Sequence, residues 1–257
     1  MNGIEKHNPT TRFSDRTKDY AAYRPSYPTI AIDHLESRKI LVSGTKIADI
    51  GAGTGKFSRL LLEKGYPVTC IEPNKEMANT GAEYLQIFNN VNWIVRSAED
   101  TGLPANSLDT IFCAQAFHWF DPKPTRTEFK RILKTDGNLV LIWNSRKTDE
   151  DDFMRFYKDI AKKHGKEYSK IQESQSDDEA IAQFYGSEPA KLSFDNFQEF
   201  TLDGLIGRAF SSSYMPPESS PERELVKKDL RGLFEKFNKD GLVHFKYETR
   251  MYFSKLA

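Results

Sequence analysis

Ile47-Ala48-Asp49-Ile50-Gly51-Ala52-Gly53-Thr54-Gly55-Lys56-Phe57 is an apolar run that meets an acid and then breaks into three alternating glycines. An amphipathic pattern follows at once. Phe57, Leu60 and Leu61 stand at i, i+3 and i+4, and Gly65 comes where a helix would stop. The stretch therefore predicts a strand, a tight glycine turn, and a helix whose first N–H groups face whatever fills the turn. Such an end favours anionic groups. Glycine there lets backbone approach a ligand more closely than any Cβ permits.

Two ligand classes use this geometry, and the spacing separates them. A dinucleotide fold asks for G-x-G-x-x-G, its third glycine admitting close helix–sheet packing. Gly51 and Gly53 fit, but Lys56 stands at the third position. The pattern present is D-x-G-x-G-x-G, which resembles the first motif of class I S-adenosylmethionine methyltransferases. The β-rich run Pro67-Val68-Thr69-Cys70-Ile71 then ends at Glu72, 21 residues after Gly51. An acid at the tip of the next strand is placed to accept both ribose hydroxyls. Glu72 alone would suit a nicotinamide dinucleotide equally; the glycine spacing tips the balance.

With 257 residues the chain is long enough for a full core with an elaborated cap. Hydrophobic residues make up 38% and charged ones 29%, and the mean hydropathy is −0.63. Thirty-seven basic and 37 acidic residues balance to zero net charge, which lacks the basic footprint of a nucleic-acid binder. Cys70 and Cys113 both fall in expected central strands and read as buried thiols of a reducing compartment. The polar N-terminus lacks a secretory h-region, and no apolar run reaches 18 residues. A soluble, cytoplasmic protein is expected, a monomer or homodimer without nucleic-acid or membrane partners.

Before any strand the chain is unusually aromatic, with Phe13, Tyr20, Tyr23 and Tyr27 around Arg24, Pro25 and Pro28. These rings suit either core packing or a lid over a ligand. A helix is predicted from Thr29 to about Leu41, and Ser43-Gly44 turns into the first strand. Asn74 is a candidate N-cap for a second helix carrying Met77 in its first turn, where a thioether would face a purine. Asn92–Val95 reads as a third strand, followed by Ser97-Ala98-Glu99-Asp100, whose acids could accept an adenine amino group. Leu108–Cys113 is a fourth strand, apolar enough for burial on both faces. Asp136-Gly137 is expected to turn the chain into a fifth, Asn138–Trp143. Strands alternating with helices at this spacing make a parallel, helix-covered sheet. Residues 146–190 are charged with apolar residues at helical intervals, as an insertion over the sheet would be. Phe194–Leu202 and His244–Phe253 alternate as the last strands, and Pro221–Asn238 is an amphipathic helix.

The runs Ile47–Gly55, Ser97–Asp100, Tyr23-Arg24-Pro25-Ser26-Tyr27-Pro28 and Ala114-Gln115-Ala116-Phe117-His118-Trp119-Phe120-Asp121 resemble the trans-aconitate-type branch of small-molecule methyltransferases. The resemblance covers roughly residues 10–145, with Ser213-Tyr214-Met215-Pro216 as a later echo. It implies an α/β fold: a Rossmann-like, mostly parallel seven-stranded sheet with an antiparallel last strand and a helical cap. Its implied parts are a lid at 1–40, a cofactor-binding core at 41–145, a cap at 146–190 and 203–238, and the last strands at 191–202 and 239–257. It also implies S-adenosylmethionine as cofactor, contacted by Tyr20, Arg24, Asp49, Gly51, Ala52, Gly53, Gly55, Glu72, Pro73, Met77, Ala98, Glu99, Ala114 and Gln115.

Methyl transfer leaves the hard chemistry to the cofactor, so few ionisable groups and many aromatics are expected. Tyr20, Tyr23, Phe117 and Trp119 could face the methyl sulfonium cation. His118 and Trp119 are the catalytic candidates, His118 as base or acceptor contact against a purely structural loop role. Tyr23, Phe117, Arg208 and Tyr214 are candidates to hold a small methyl acceptor, conceivably a carboxylate methylated at oxygen. No histidine or cysteine pair has metal-ligand spacing, so no metal is expected. An NAD-type Rossmann oxidoreductase and a non-catalytic S-adenosylmethionine-binding module remain as alternatives. The absence of an N/D-P-P-Y/F run after the fourth strand disfavours base-methylating enzymes.

Overall fold

A computed structural model describes residues 23–166, 178–212 and 214–257; Phe13, Tyr20, Ser213 and most of the expected lid lie outside the described residues. In chain order come α1 (Thr29–Ser37), β1 (Ile47–Ile50), α2 (Lys56–Glu63), β2 (Val68–Ile71), α3 (Lys75–Tyr84), β3 (Val91–Ile94) and β4 (Leu108–Ala114). A 3-10 turn at Phe117–Trp119 precedes α4 (Pro122–Ile132). Then follow β5 (Leu133–Arg146), α5 (Asp152–His164), α6 (Asp178–Tyr185), β6 (Ala190–Phe200), α7 (Leu202–Phe210), α8 (Glu222–Phe237) and β7 (Val243–Ser254). Strand order along the sheet is 3-2-1-4-5-7-6, the expected fold class. Two compact units divide the chain, one of them Val42–Gly137, the other Asn138–Ala257 with the segment ending at Leu41.

In the unit Val42–Gly137, β1 lies between β2 and β4, and β2 pairs with β3, all parallel. All four residues of β1 are buried, as are Val68, Cys70 and Ile71 of β2 and Ile111–Cys113 of β4. A strand covered on both faces reads as a continuous apolar run, which is how these runs looked in the sequence. Helix α2 buries Phe57, Leu60, Leu61 and Leu62, each worth about 1.5–3 kcal/mol of transfer free energy. Helix α3 opens as expected: the Asn74 carboxamide accepts from the N–H groups of Glu76 (2.9 Å) and Met77 (3.1 Å).

The unit containing Asn138–Ala257 is antiparallel. β7 pairs with β5 and with β6, so it alone runs against its two neighbours. Helices α5, α7 and α8 share one apolar cluster with β7, through Tyr157, Leu205, Leu230 and Phe245 among others.

Several boundaries differ from expectation. β6 runs Ala190–Phe200 rather than Phe194–Leu202, because Thr201 caps α7, which begins at Leu202. Helix α1 stops at Ser37 rather than near Leu41, because Lys39 takes the left-handed conformation (φ 59°) and the N–H of Ile40 bonds back to the Leu35 carbonyl at 3.0 Å. β5 starts at Leu133, directly after α4, so Asp136-Gly137 lies inside a strand rather than in a turn. Gly137 is there for closeness: a Cβ would sit 2.8 Å from Leu133 Cδ2.

Candidate functional site

Between β1 and α2 the backbone is left-handed at Gly51 (φ 73°), Gly53 (φ 58°) and Gly55 (φ 76°). Residues with a Cβ adopt that region at a cost, so each glycine is required by conformation. Two are also required by space. A Cβ at Gly51 would stand 2.5 Å from the Ala116 Cβ and 3.2 Å from the Phe120 ring. At Gly55 it would meet Leu85 Cδ1 at 2.7 Å. The loop is pinned to β2, since the N–H groups of Gly51 and Ala52 both donate to the Ile71 carbonyl, at 2.8 and 3.1 Å. Gly55 occupies the N-cap of α2 and offers no side-chain acceptor to the first-turn N–H groups.

Glu72 stands at the tip of β2, 7% exposed. One carboxylate oxygen accepts from the Gly53 N–H at 2.9 Å, the other from the Asn74 N–H at 3.0 Å. Each oxygen keeps a second lone pair for a hydroxyl donor. Burial raises its pKa, against the two backbone hydrogen bonds, which lower it. Asp49 is fully buried on β1, and one of its oxygens accepts the Ser58 hydroxyl while the other has no partner. Burial pushes its carboxyl up to about 7. A glycine loop that a Cβ would fill, a ribose-competent acid and an orphaned buried oxygen together fit an adenosyl ligand with a zwitterionic tail.

β1 and β4 leave the sheet on either side of the point where strand order reverses, the place where open α/β sheets bind ligands. Just past β4, Gln115 is left-handed (φ 56°), and the chain folds into the Phe117–Trp119 turn with the Trp119 N–H on the Ala116 carbonyl at 2.9 Å. Phe117, His118, Trp119 and Phe120 are half-buried there, and the His118 and Trp119 rings lie 4.9 Å apart. Ala98 is buried; Pro73 and Ala114 are half-buried; Met77 is buried under the glycine loop, its Cε 3.4 Å from a Cβ built on Gly53. Glu99 is half-buried after β3, and Asp100 beside it is exposed. The Glu99 carboxylate accepts from the Asp121 N–H at 3.0 Å, at the start of α4, whose own Asp121 side chain makes no cap.

Residues 48–141 match the family profile described as the methyltransferase domain. Over those residues the chain is similar to a methyltransferase domain. An uncharacterized methyltransferase of Mycobacterium tuberculosis is 36% identical over 134 residues, 52% of each chain, so this chain spans about half the length of the curated relatives it matches. Among solved structures, one from Anaeromyxobacter dehalogenans, provisionally named a type II methyltransferase, aligns with a TM-score of 0.68 at 17% identity, covering 91% of this chain and 99% of that one. A phosphoethanolamine N-methyltransferase of Haemonchus contortus, holding S-adenosylhomocysteine, aligns at 0.57 and 13% identity over 95% of this chain and 58% of its own. These likenesses are of fold. The methyltransferase domain match spans the glycine loop, Glu72 and the β4 tip.

The remaining predicted residues belong to the other unit, and each sits in it as follows. Tyr23 is half-buried against Gly207, where a Cβ would lie 2.3 Å from its ring. Arg24 donates to the Ser211 carbonyl at 3.1 Å. Arg208 and Tyr214 are buried, Arg208 donating to the Tyr247 hydroxyl at 2.8 Å and Tyr214 accepting from Arg146 at 2.7 Å. In the sequence Tyr157 reads as one of the apolar residues at helical intervals and Tyr247 as part of an alternating strand, so neither is marked as a site residue. Among the described residues no group of three His, Cys, Asp or Glu could hold a metal, and no helix is long and apolar enough to cross a membrane.

Proposed function

We propose that this protein is an S-adenosylmethionine-dependent methyltransferase that acts on a small molecule, with a carboxylate oxygen as the methylated group. The observation that carries the reading is the loop of three alternating left-handed glycines, Gly51, Gly53 and Gly55, with the buried Glu72 carboxylate tied to it by the Gly53 N–H. S-adenosylmethionine, when bound, supplies a methyl group that a nucleophile displaces in line from the sulfonium, the C–S electron pair passing to sulfur. Glu72 would accept the two ribose hydroxyls, and Met77, packed against the glycine loop, would contact the base. The N-terminal end of α2, with its positive dipole, would favour the anionic end of the amino-acid tail. The half-buried rings of Phe117 and Trp119 favour a cation at the β4 tip and keep water from it.

A carboxylate acceptor is supported by what the site need not do. The group is already ionised at pH 7, so no base has to remove a proton, and the new ester C–O bond forms without one. Methyl esters also give the test. Purified protein is incubated with methyl-labelled S-adenosylmethionine and a panel of small organic acids, amines and phenols. The account expects label in an acid fraction that alkali releases as volatile methanol. Label only in alkali-stable amine or phenol products would overturn the carboxylate assignment, and no transfer at all would overturn the enzyme reading.

A further inference from the structure

Arg208 of α7 is 3% exposed, and its charge cannot be discharged by losing a proton. Nε donates to the Tyr247 hydroxyl at 2.8 Å, and Nη1 to the Ser212 hydroxyl at 3.2 Å and weakly to that of Ser211 at 3.5 Å. Among the described residues Nη2 has no acceptor, and no carboxylate pairs with the guanidinium. Its other neighbours are the rings of Phe245 and Tyr247, at 5.3 and 5.7 Å. Tyr157 of α5, 1% exposed, packs edge-on against the same Phe245 at 4.7 Å, and its hydroxyl has no hydrogen-bond partner. The Arg146 guanidinium lies 5.9 Å from the Tyr157 ring. A buried cation without a counterion and a buried hydroxyl without a partner are each costly, and here they occur around one aromatic ring.

We propose that Arg208 and Tyr157 form a carboxylate-binding site within the unit Asn138–Ala257, and that its ligand is the organic acid serving as methyl acceptor. This rests on the methyltransferase reading for the identity of the ligand, not for the existence of the site. A carboxylate fits the donors left over: the two N–H groups of Nη2 and the Tyr157 O–H can serve its two oxygens. Its negative charge offsets that of the Arg208 guanidinium. Phosphate, with nearly two charges and a tetrahedral set of oxygens, fits the flat aromatic surround of Phe245, Tyr247 and Tyr214 less well.

The whole chain is titrated calorimetrically with succinate, glutarate and tricarballylate, and with inorganic phosphate at matched ionic strength. The site predicts binding of at least one carboxylate, tighter than phosphate. Tyr157→Phe is the sharpest variant, since among the described residues its hydroxyl bonds to nothing. It should leave the unfolding temperature of ligand-free protein unchanged or higher while weakening carboxylate binding at least fivefold. Arg208→Gln should abolish binding; if it fails to fold, Tyr157→Phe decides alone. Wild-type affinity in Tyr157→Phe, tighter phosphate than carboxylate, or no carboxylate binding would overturn the site. Methyl transfer with unaltered acceptor KM in Tyr157→Phe would sink the site and leave the enzyme reading standing. Carboxylate binding lost in Tyr157→Phe without any methyl transfer would sink the enzyme reading and leave the site.

Discussion

Asp49→Asn should remove a pH dependence of stability that the buried carboxyl imposes. Burial raises the Asp49 pKa from 3.8 to about 7, the Ser58 hydrogen bond opposing and the Glu72 charge adding to the rise. The folded state therefore keeps a proton that the unfolded chain gives up near pH 4. A raised folded pKa contributes stability that is complete below about pH 4 and lost as pH climbs to about 7. Roughly three pKa units at about 1.4 kcal/mol each make the loss about 4 kcal/mol, an upper figure because the site relaxes around the charge. The variant's amide does not titrate. Its NH2 group takes the place of the unpartnered oxygen, or its carbonyl does, adding a penalty of about 1–3 kcal/mol that is constant with pH. Urea unfolding of both proteins at pH 5, 6, 7 and 8 isolates the titrating part. The variant's stability minus that of the wild type should rise by about 1 kcal/mol per pH unit from 5 to 7 and level off above. A difference that stays flat across that range would refute the reasoning.

Gly51→Ala puts a Cβ 2.5 Å from the Ala116 Cβ at φ 73°, so it should cost about 2 kcal/mol or more and abolish cofactor binding; thermal melts should show Ala116→Gly recovering part of the stability in the double variant, because it removes the clash and leaves the φ strain. His118→Gln should retain most of kcat on a carboxylate acceptor, with kcat flat from about pH 6 to 8; an acidic limb near the histidine pKa that vanishes in the variant would mean that His118 is a base.

The cofactor loop was legible because its constraints are local. Left-handed φ at three alternating positions demands glycine, and an acid at the next strand tip follows from the length of one β-α-β step. The Asn74 cap was legible for the same reason. What the sequence hid is tertiary. Glu99 looked like any acid after a strand, and only folding brings it to the start of α4, 22 residues on. Gly81 gave no turn signal; it is needed because the Trp93 ring lies where a Cβ would be, at 2.3 Å. Asp136-Gly137 imitated a turn, although its glycine answers a packing demand from Leu133. Arg208 meets Tyr247 across 39 residues of chain, and Tyr157 comes from a third element to pack on the same Phe245, so no spacing rule could group them.

The most direct measurement is calorimetric titration of the purified protein with S-adenosylmethionine, beside the same titration of Glu72→Gln. The account predicts one binding event per chain in the wild type. In the variant it predicts affinity at least tenfold weaker, since a hydrogen bond to a charged acceptor is worth about 1.5–3 kcal/mol, in a protein that still folds with a lowered unfolding temperature because the amide NH2 faces one of the two backbone N–H groups that the carboxylate accepts. Equal affinity in both proteins, or heat only when NADH replaces S-adenosylmethionine, would contradict it.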